Sequence, residues 1–169
     1  MRKILTFCAI IFICNITKAQ NLTIAQILEI KRKDLGKVEE YLTAKGWQFS
    51  EANEPTDDKL GSVIFAYNKS SFSSSAESFI NFYYTNYSPK TRVSIQLHRK
   101  NKYSEYLNAI NNYGCKLIST KVKEGRLVKI YRGITTTFEV SSTTSSNGAS
   151  IWNIFVVSNE DYDLNWGDY

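Results

Sequence analysis

The chain has one histidine, His98, and it is the first residue to consider for metal binding or proton transfer. It ends a predicted strand and is followed by Arg99 and Lys100. A metal site or a Ser-His-Asp triad needs an imidazole that is partly buried and oriented by a second group. A solvated, positively charged strand end offers neither. We therefore interpret His98 as an exposed structural residue.

The remaining candidates for chemistry also have simpler interpretations. Cys115 follows Gly114, which ends a predicted helix, and this position suits a buried small apolar side chain better than an activated nucleophile. The adjacent pairs Glu39-Glu40 and Asp57-Asp58 point apart on a helix or strand, so neither forms an acid/base couple. The sequence contains no HExxH, CxxC, GxSxG or glycine-rich phosphate motif. We predict a protein that is not an enzyme, with no cofactor.

Two charged segments could bind ions. Asp161, Asp163 and Asn165 alternate as in the start of a calcium loop, but the glycine comes one place late and no glutamate follows Asp161. We predict no metal site and interpret 159–169 as an acidic C-terminal tail, held by its tryptophan. The basic stretch 31–33 could bind an anion, although a solvated helix end is favoured.

The N-terminus predicts export. Arg2 and Lys3 precede an apolar run over 4–13, and the small residue Ala19 ends the segment. This pattern is typical of a secretory signal peptide, and the run is too short to span a bilayer. We predict a signal peptide over 1–19, followed by a periplasmic or extracellular protein without a stable membrane anchor.

Removal of this segment changes the charge and the cysteine count. Three of the 21 basic residues and none of the 16 acidic residues lie in it, which leaves 18 against 16 and a net charge of +2. Such a charge gives no reason to expect a nucleic-acid partner. Cys115 is the only cysteine left, so no internal disulfide is expected.

The hydrophobic pattern predicts helices and strands in the same order twice. Thr23 and Asp34 are expected to cap two short helices before Gly46, and Asn101 is expected to cap one helix before Gly114. Residues 51–59 read as a loop, and 123–125 and 147–148 as hairpin turns. The expected strands are 47–50, 63–67, 78–86, 93–97, 115–118, 127–131, a strand through 138–140, and 151–157.

This order predicts a single α+β domain over 20–158 with two pseudo-repeat halves, 23–98 and 101–158. Joined edge to edge, the halves give one antiparallel sheet of about eight strands with the helices packed on one face. Chance recurrence of a common helix-plus-sheet unit would give the same pattern, so a true duplication is left open.

The tandem order of a helix followed by four strands resembles the β-lactamase inhibitor protein family, and more loosely the small envelope-assembly lipoproteins. The resemblance rests on element order and covers most of the mature chain. It implies an antiparallel sheet that binds another protein.

An aromatic strand over 78–86 supplies the candidate binding site. Ile80, Phe82 and Tyr84 share the face that we expect to meet the core. The candidate binding residues are those of the other face together with two from neighbouring strands, which can add to either face: Phe79, Tyr83, Tyr87, Tyr67 and Trp152. Helices and loops could instead cover both faces.

We therefore expect an exported binding protein that uses this aromatic face against another envelope or extracellular protein. The alternative is a periplasmic binder of a small molecule or lipid, with a pocket between sheet and helices. An enzyme ranks third, and the sequence does not specify the oligomeric state.

Overall fold

The protein is described from a computed structural model that covers residues 22–72, 75–88, 90–145 and 148–166. The predicted signal peptide and cleavage site lie outside these residues, as does Asn147 of the turn predicted at 147–148. No helix in the described ranges is both long enough and apolar enough to cross a membrane.

The described chain forms helices α1 (Ile24–Ile30), α2 (Leu35–Thr43), α3 (Lys100–Asn112) and α4 (Asn159–Asn165). The first two begin as predicted, with a capping box at Thr23 and a side-chain cap at Asp34. The predicted cap of α3 is wrong. Arg99 occupies that position without a side-chain cap bond, and Asn101 lies inside the first turn.

The strands are β1 (Trp47–Asn53), β2 (Gly61–Tyr67), β3 (Ser78–Tyr84), β4 (Arg92–Leu97), β5 (Lys116–Lys123), β6 (Arg126–Arg132), β7 (Thr136–Thr144) and β8 (Ser150–Ser158). They form one antiparallel sheet in the order β1-β2-β3-β4-β8-β7-β6-β5, which confirms the predicted α+β class. β1 is longer than expected, because a bulge between Phe49 and Glu51 lets it continue beside β2 into the segment predicted as loop.

The two halves of the sheet join along β4 and β8 and resemble each other in detail. Gly46 and Gly114 end the helices that precede the two edge strands, and both adopt positive φ angles, +82° and +75°. Each edge strand then has a bulge near its start, after Phe49 in β1 and after Leu117 in β5. Each half thus has four strands after a helix and a glycine, although two helices precede β1 and one precedes β5.

The main core lies between the sheet and α1, α2 and α3. We call this side of the sheet the helix face. The helices contribute Ile27, Val38 and Ile110, and the aromatic strand β3 contributes Ile80 and Phe82, all fully buried. The predicted core side of β3 is confirmed.

The fourth helix corrects two expectations. α4 packs on the opposite side of the sheet, where Tyr162 covers Val128, Ile130 and Val157. The helices are thus not all on one face, and the domain extends beyond residue 158 into the segment predicted as a tail. The physical reason is that β6 and β8 bury apolar residues on both sides, so their second side also needs cover.

A buried hydroxyl ties α3 to the start of α1 and gives a first prediction. Tyr106 Oη donates a hydrogen bond of 2.7 Å to the backbone oxygen of Leu22, and Tyr106 is 3% exposed. Tyr106→Phe leaves this carbonyl without its partner, so we expect a loss of about 1–2 kcal/mol in unfolding free energy. Urea denaturation measures it, with Tyr113→Phe at the exposed end of α3 as the control. Equal stability of the two variants would contradict the role of this bond.

Candidate functional site

The side of the sheet opposite α1, α2 and α3, here called the open face, carries the candidate site. Phe79, Asn81 and Tyr83 alternate on β3 with the buried core residues, so all three point to this side, and all three are half-buried. Tyr83 lies opposite Ser62 of β2 and Arg92 of β4 in the strand register. The centre of the open face therefore carries aromatic and amide side chains that are partly exposed.

A row of aromatic rings leads from this centre to α4. The ring centroids of Tyr83 and Phe155 are 6.2 Å apart, with the rings edge to face. Phe155 meets Trp166 at 5.4 Å in the same manner, and Trp166 stacks with Tyr162 at 6.3 Å. Such contacts stabilise beyond the area they bury, so α4 and β3 are parts of one continuous aromatic surface.

Two arginines of the sheet hold α4 in place. Arg92 donates to both oxygens of Asp161, at 2.7 and 2.9 Å, and its guanidinium lies 4.5 Å from the ring centroid of Trp166. Arg132 binds Asp163 in the same two-pronged way, at 2.6 and 2.7 Å. The carboxylates that imitate a calcium loop in sequence therefore face guanidinium groups. In the described chain no group of three or more His, Cys, Asp or Glu could hold a metal ion.

The start of α4 is fixed by polar contacts. Ser158 Oγ accepts a hydrogen bond from the Asp161 amide at 3.2 Å, and the Asn159 side chain bonds the backbone oxygens of Gly133 and Ile134. Sequence reasoning missed this helix. The available signal is the Ser158-x-x-Asp161 cap spacing, followed by aromatic residues four apart at Tyr162 and Trp166.

The five predicted binding residues separate into two groups. Phe79 and Tyr83 share the open face, and Tyr87 follows β3 with 79% of its surface exposed. Tyr67 is 4% exposed and packs against Trp47 in the core. Trp152 stacks on Tyr103 of α3 at a centroid distance of 5.3 Å. Tyr67 and Trp152 therefore lie on the helix face, and their assignment to the aromatic surface is corrected.

The two residues considered for catalysis lie where we interpreted them. His98 is exposed, with Nε2 at 3.1 Å from the Gln96 amide nitrogen. Cys115 is buried, and burial raises the pKa of its thiol. Its sulfur leaves no room for a side chain at Gly133, where an added Cβ would stand 2.9 Å from Sγ.

A cavity of about 300 Å³ lies between the α1–α2 connection and the sheet. Its apolar lining includes Leu35, Phe82 and Tyr84, and the basic stretch 31–33 forms part of its wall. Burial lowers the pKa of Lys31, and the carboxylate of Asp161 acts against this effect. The stretch is therefore part of a pocket wall and not only a solvated helix end.

An unsatisfied acceptor on the open face gives a second prediction. Asn81 Oδ1 is buried without a hydrogen-bond partner in the part of the chain that the structure describes. Such a group costs about 1–3 kcal/mol, so we expect Asn81→Val to raise the unfolding free energy by about 1 kcal/mol. Ser94→Val, on the neighbouring strand and half-buried, controls for the strand preference of valine. If Asn81→Val destabilises more than the control, the carbonyl has a partner in solution.

The Arg132–Asp163 pair predicts a pH effect. Hydrogen bonds from Arg132 lower the pKa of Asp163 below 3.8, its ordinary value. A carboxyl with a depressed folded-state pKa stabilises the protein above its unfolded value, and this stabilisation is lost as the pH falls through the folded value. Melting curves of wild type and Asp163→Asn should therefore differ at neutral pH, and the difference should begin to shrink only as the pH falls below about 4. A constant difference down to the lowest pH would contradict the assignment.

Comparison of the chain with known protein-family models, with curated proteins and with solved structures finds no match in any of the three.

Proposed function

We propose that the protein is an exported binding protein without enzymatic activity, and that it uses the open face around Phe79 and Tyr83 against another protein. The observation that carries the proposal is the unequal cover of this face. α4 covers the side formed by β6, β7 and β8, whereas Phe79, Asn81 and Tyr83 on β3 remain half-exposed at the end of the aromatic row.

The chemistry of this surface favours a protein as partner. Tyrosine and phenylalanine are enriched at the centres of protein interfaces, where they bury a large area at a small cost in side-chain entropy. Here they alternate with Asn81, and Gln96 lies beside Phe79 in the strand register. Amide groups between rings supply directional hydrogen bonds, which a partner needs for specificity.

Three further points support the proposal. The N-terminal pattern favours export to the periplasm or the extracellular space. The tandem order of helix and four strands is compatible with the likeness to β-lactamase inhibitor proteins, which implies a protein-binding sheet. The titratable side chains considered for catalysis do not converge in one cleft of the described chain, as a general acid and base would need to.

A photocrosslinking amino acid placed at Phe79 or Tyr83 tests the proposal in the producing cell. We expect each position to form a discrete adduct of higher mass with one other protein, because a residue at the interface centre lies within reach of the partner. The adducts should be identified by mass spectrometry. The double variant Phe79→Ala/Tyr83→Ala should abolish an adduct formed from Tyr87.

Tyr113 provides the matched control. It is an aromatic residue with 54% exposure at the end of α3, away from the open face. A crosslinker there should give no adduct. The proposal fails if Phe79, Tyr83 and Tyr87 give none either, or if Tyr113 gives the same ones.

A second candidate function is the binding of a small anionic molecule in the cavity between the α1–α2 connection and the sheet. The observation in its favour is the combination of an apolar lining from Phe82 and Leu35 with the cationic stretch 31–33. A volume of about 300 Å³ suits a small ligand. Thermal shift assays with short fatty acids and aromatic carboxylates test it, and Arg32→Ala should reduce any stabilisation observed.

A further inference from the structure

The edge strand β5 exposes an unusual amount of apolar surface. Leu117, Ile118 and Val122 are 50%, 54% and 75% exposed, and Leu127 on the neighbouring strand β6 is 44% exposed. Leu117 and Val122 are on the helix face, since they pair in register with Tyr131 and Leu127. Several exposed apolar residues on one sheet edge are typical of interaction sites.

The other side of β5 is basic. Lys116, Lys121 and Lys123 pair in register with Arg132, Val128 and Arg126, so all three lysines lie on the open face. β5 therefore carries Leu117, Thr120 and Val122 on the helix face, and three lysines together with Ser119 on the open face. The Glu124-Gly125 turn that leads into β6 adds one carboxylate, which binds Arg126 at 2.6 Å.

A cleft of about 440 Å³ adjoins the basic side of β5. Lys121 and Lys123 form one wall, and Tyr162, Asn165 and Trp166 at the end of α4 form the other. Among the described residues that line this cleft, Glu139 is the only one with a carboxylate. The cleft leaves space for side chains that approach along the lysines.

We propose that β5 binds an extended segment of another protein as a ninth strand, and that this segment alternates acidic with apolar residues. Backbone hydrogen bonds to the edge would provide affinity, since β5 is the last strand of the sheet. The acidic side chains lie over the lysines, and the apolar ones cover Leu117 and Val122. The proposal concerns a different edge from the aromatic surface and does not depend on it.

Charge selects this occupant over a second copy of the chain. Pairing of β5 with β5 of another copy would place lysines against lysines on the open face, which is unfavourable. The other edge strand, β1, has a single carboxylate, Glu51, to set against three lysines. A segment with an acidic residue at every second position matches β5 after its bulge, where Lys121 and Lys123 are two positions apart on the open face.

The probe is a fluorescein-labelled peptide, capped at both ends, in which valine and glutamate alternate over seven residues. We expect saturable binding by fluorescence anisotropy. The same peptide with lysine in place of glutamate should bind with an affinity at least about tenfold lower, because its charges repel those of β5. The variant Lys123→Glu should weaken this preference while keeping the wild-type melting temperature, since the Lys123 side chain is exposed on the edge strand.

Backbone methylation separates strand addition from simple charge attraction. In an added strand, the amides of one alternate set point to β5 and those of the other set point to solvent. N-methylation of the valines or of the glutamates should therefore abolish binding in one case and leave it intact in the other. Retention of binding by both methylated peptides, equal binding of the lysine peptide, or no binding by any peptide would overturn the proposal. Self-association of the protein that Val122→Glu abolishes would also overturn it, because a second copy would then occupy β5.

Discussion

Replacement of Phe82 by alanine is expected to lower the unfolding free energy by about 3–5 kcal/mol, because it empties a packed aromatic site. Phe82 is 0% exposed on the helix face of β3, and it stacks on Tyr84 at a ring-centroid distance of 6.4 Å. Tyr83→Ala, one residue further along the same strand, should cost about 1 kcal/mol, since a half-buried ring leaves no closed cavity and loses mainly its contact with Phe155. Urea denaturation of the two variants measures both values.

The comparison of these adjacent residues also tests the assignment of faces. If Tyr83→Ala were the more damaging, the open face would be core and the proposed interface could not exist. If the order is as expected, Tyr83→Ala is a folded protein suited to binding measurements. Tyr83→Phe then separates the contribution of the hydroxyl, which lies 3.4 Å from the Asn81 amide nitrogen, from that of the ring.

Most of the fold prediction was based on the alternation of apolar and polar residues along the strands. β4 shows why, because Val93, Ile95 and Leu97 are all fully buried while the residues between them are half-exposed. A strand with one buried side gives an unambiguous period of two. Gly46 and Gly114 stand before the two edge strands, so the repeated order of elements could also be predicted from the sequence.

The faces of the aromatic residues were harder to predict. Tyr67 and Trp152 lie in strands that carry apolar residues on both sides, so alternation does not assign them to a face. Their sides follow from the register between strands. Trp152 lies opposite Leu97 of β4 and opposite Ser142 of β7, which places it on the helix face. Register between strands that are distant in sequence is set by the assembled sheet. The pattern around each residue left both sides possible.

The position of α4 depends on long-range pairs. Arg92 and Asp161 are 69 positions apart, and Arg132 and Asp163 are 31 apart. A stretch of carboxylates has the composition of a solvated tail, and it becomes a docked helix because two arginines on one sheet face bind it and Tyr162 packs on the same face. The candidate site was thus identified in part, as one aromatic strand, while the helix that borders it was not.

This docking gives the second large expected effect. Asp161→Ala should lower stability by about 3 kcal/mol, because it leaves the guanidinium of Arg92 without its carboxylate in a largely buried position. The side chains of Asp161 and Arg92 are 3% and 19% exposed, so water cannot replace the lost partner fully. The Asn165 side chain also loses an acceptor at 2.9 Å. Tryptophan fluorescence, with Trp166→Phe to identify the contribution of that residue, and far-ultraviolet circular dichroism, followed together in denaturation, measure the loss and show whether α4 detaches first.

The matched comparison is between the two arginine–carboxylate pairs of α4. Asp163, whose side chain is 41% exposed beside Arg132, can be replaced by alanine at a smaller cost, because solvent already screens that pair. Replacing both partners of the buried pair, as in Arg92→Met/Asp161→Leu, should recover most of the stability that Asp161→Ala loses, since no charge is then left unpaired. If Asp161→Ala cost no more than Asp163→Ala, the Arg92 pair would be solvated, and the aromatic row alone would hold α4 against the sheet.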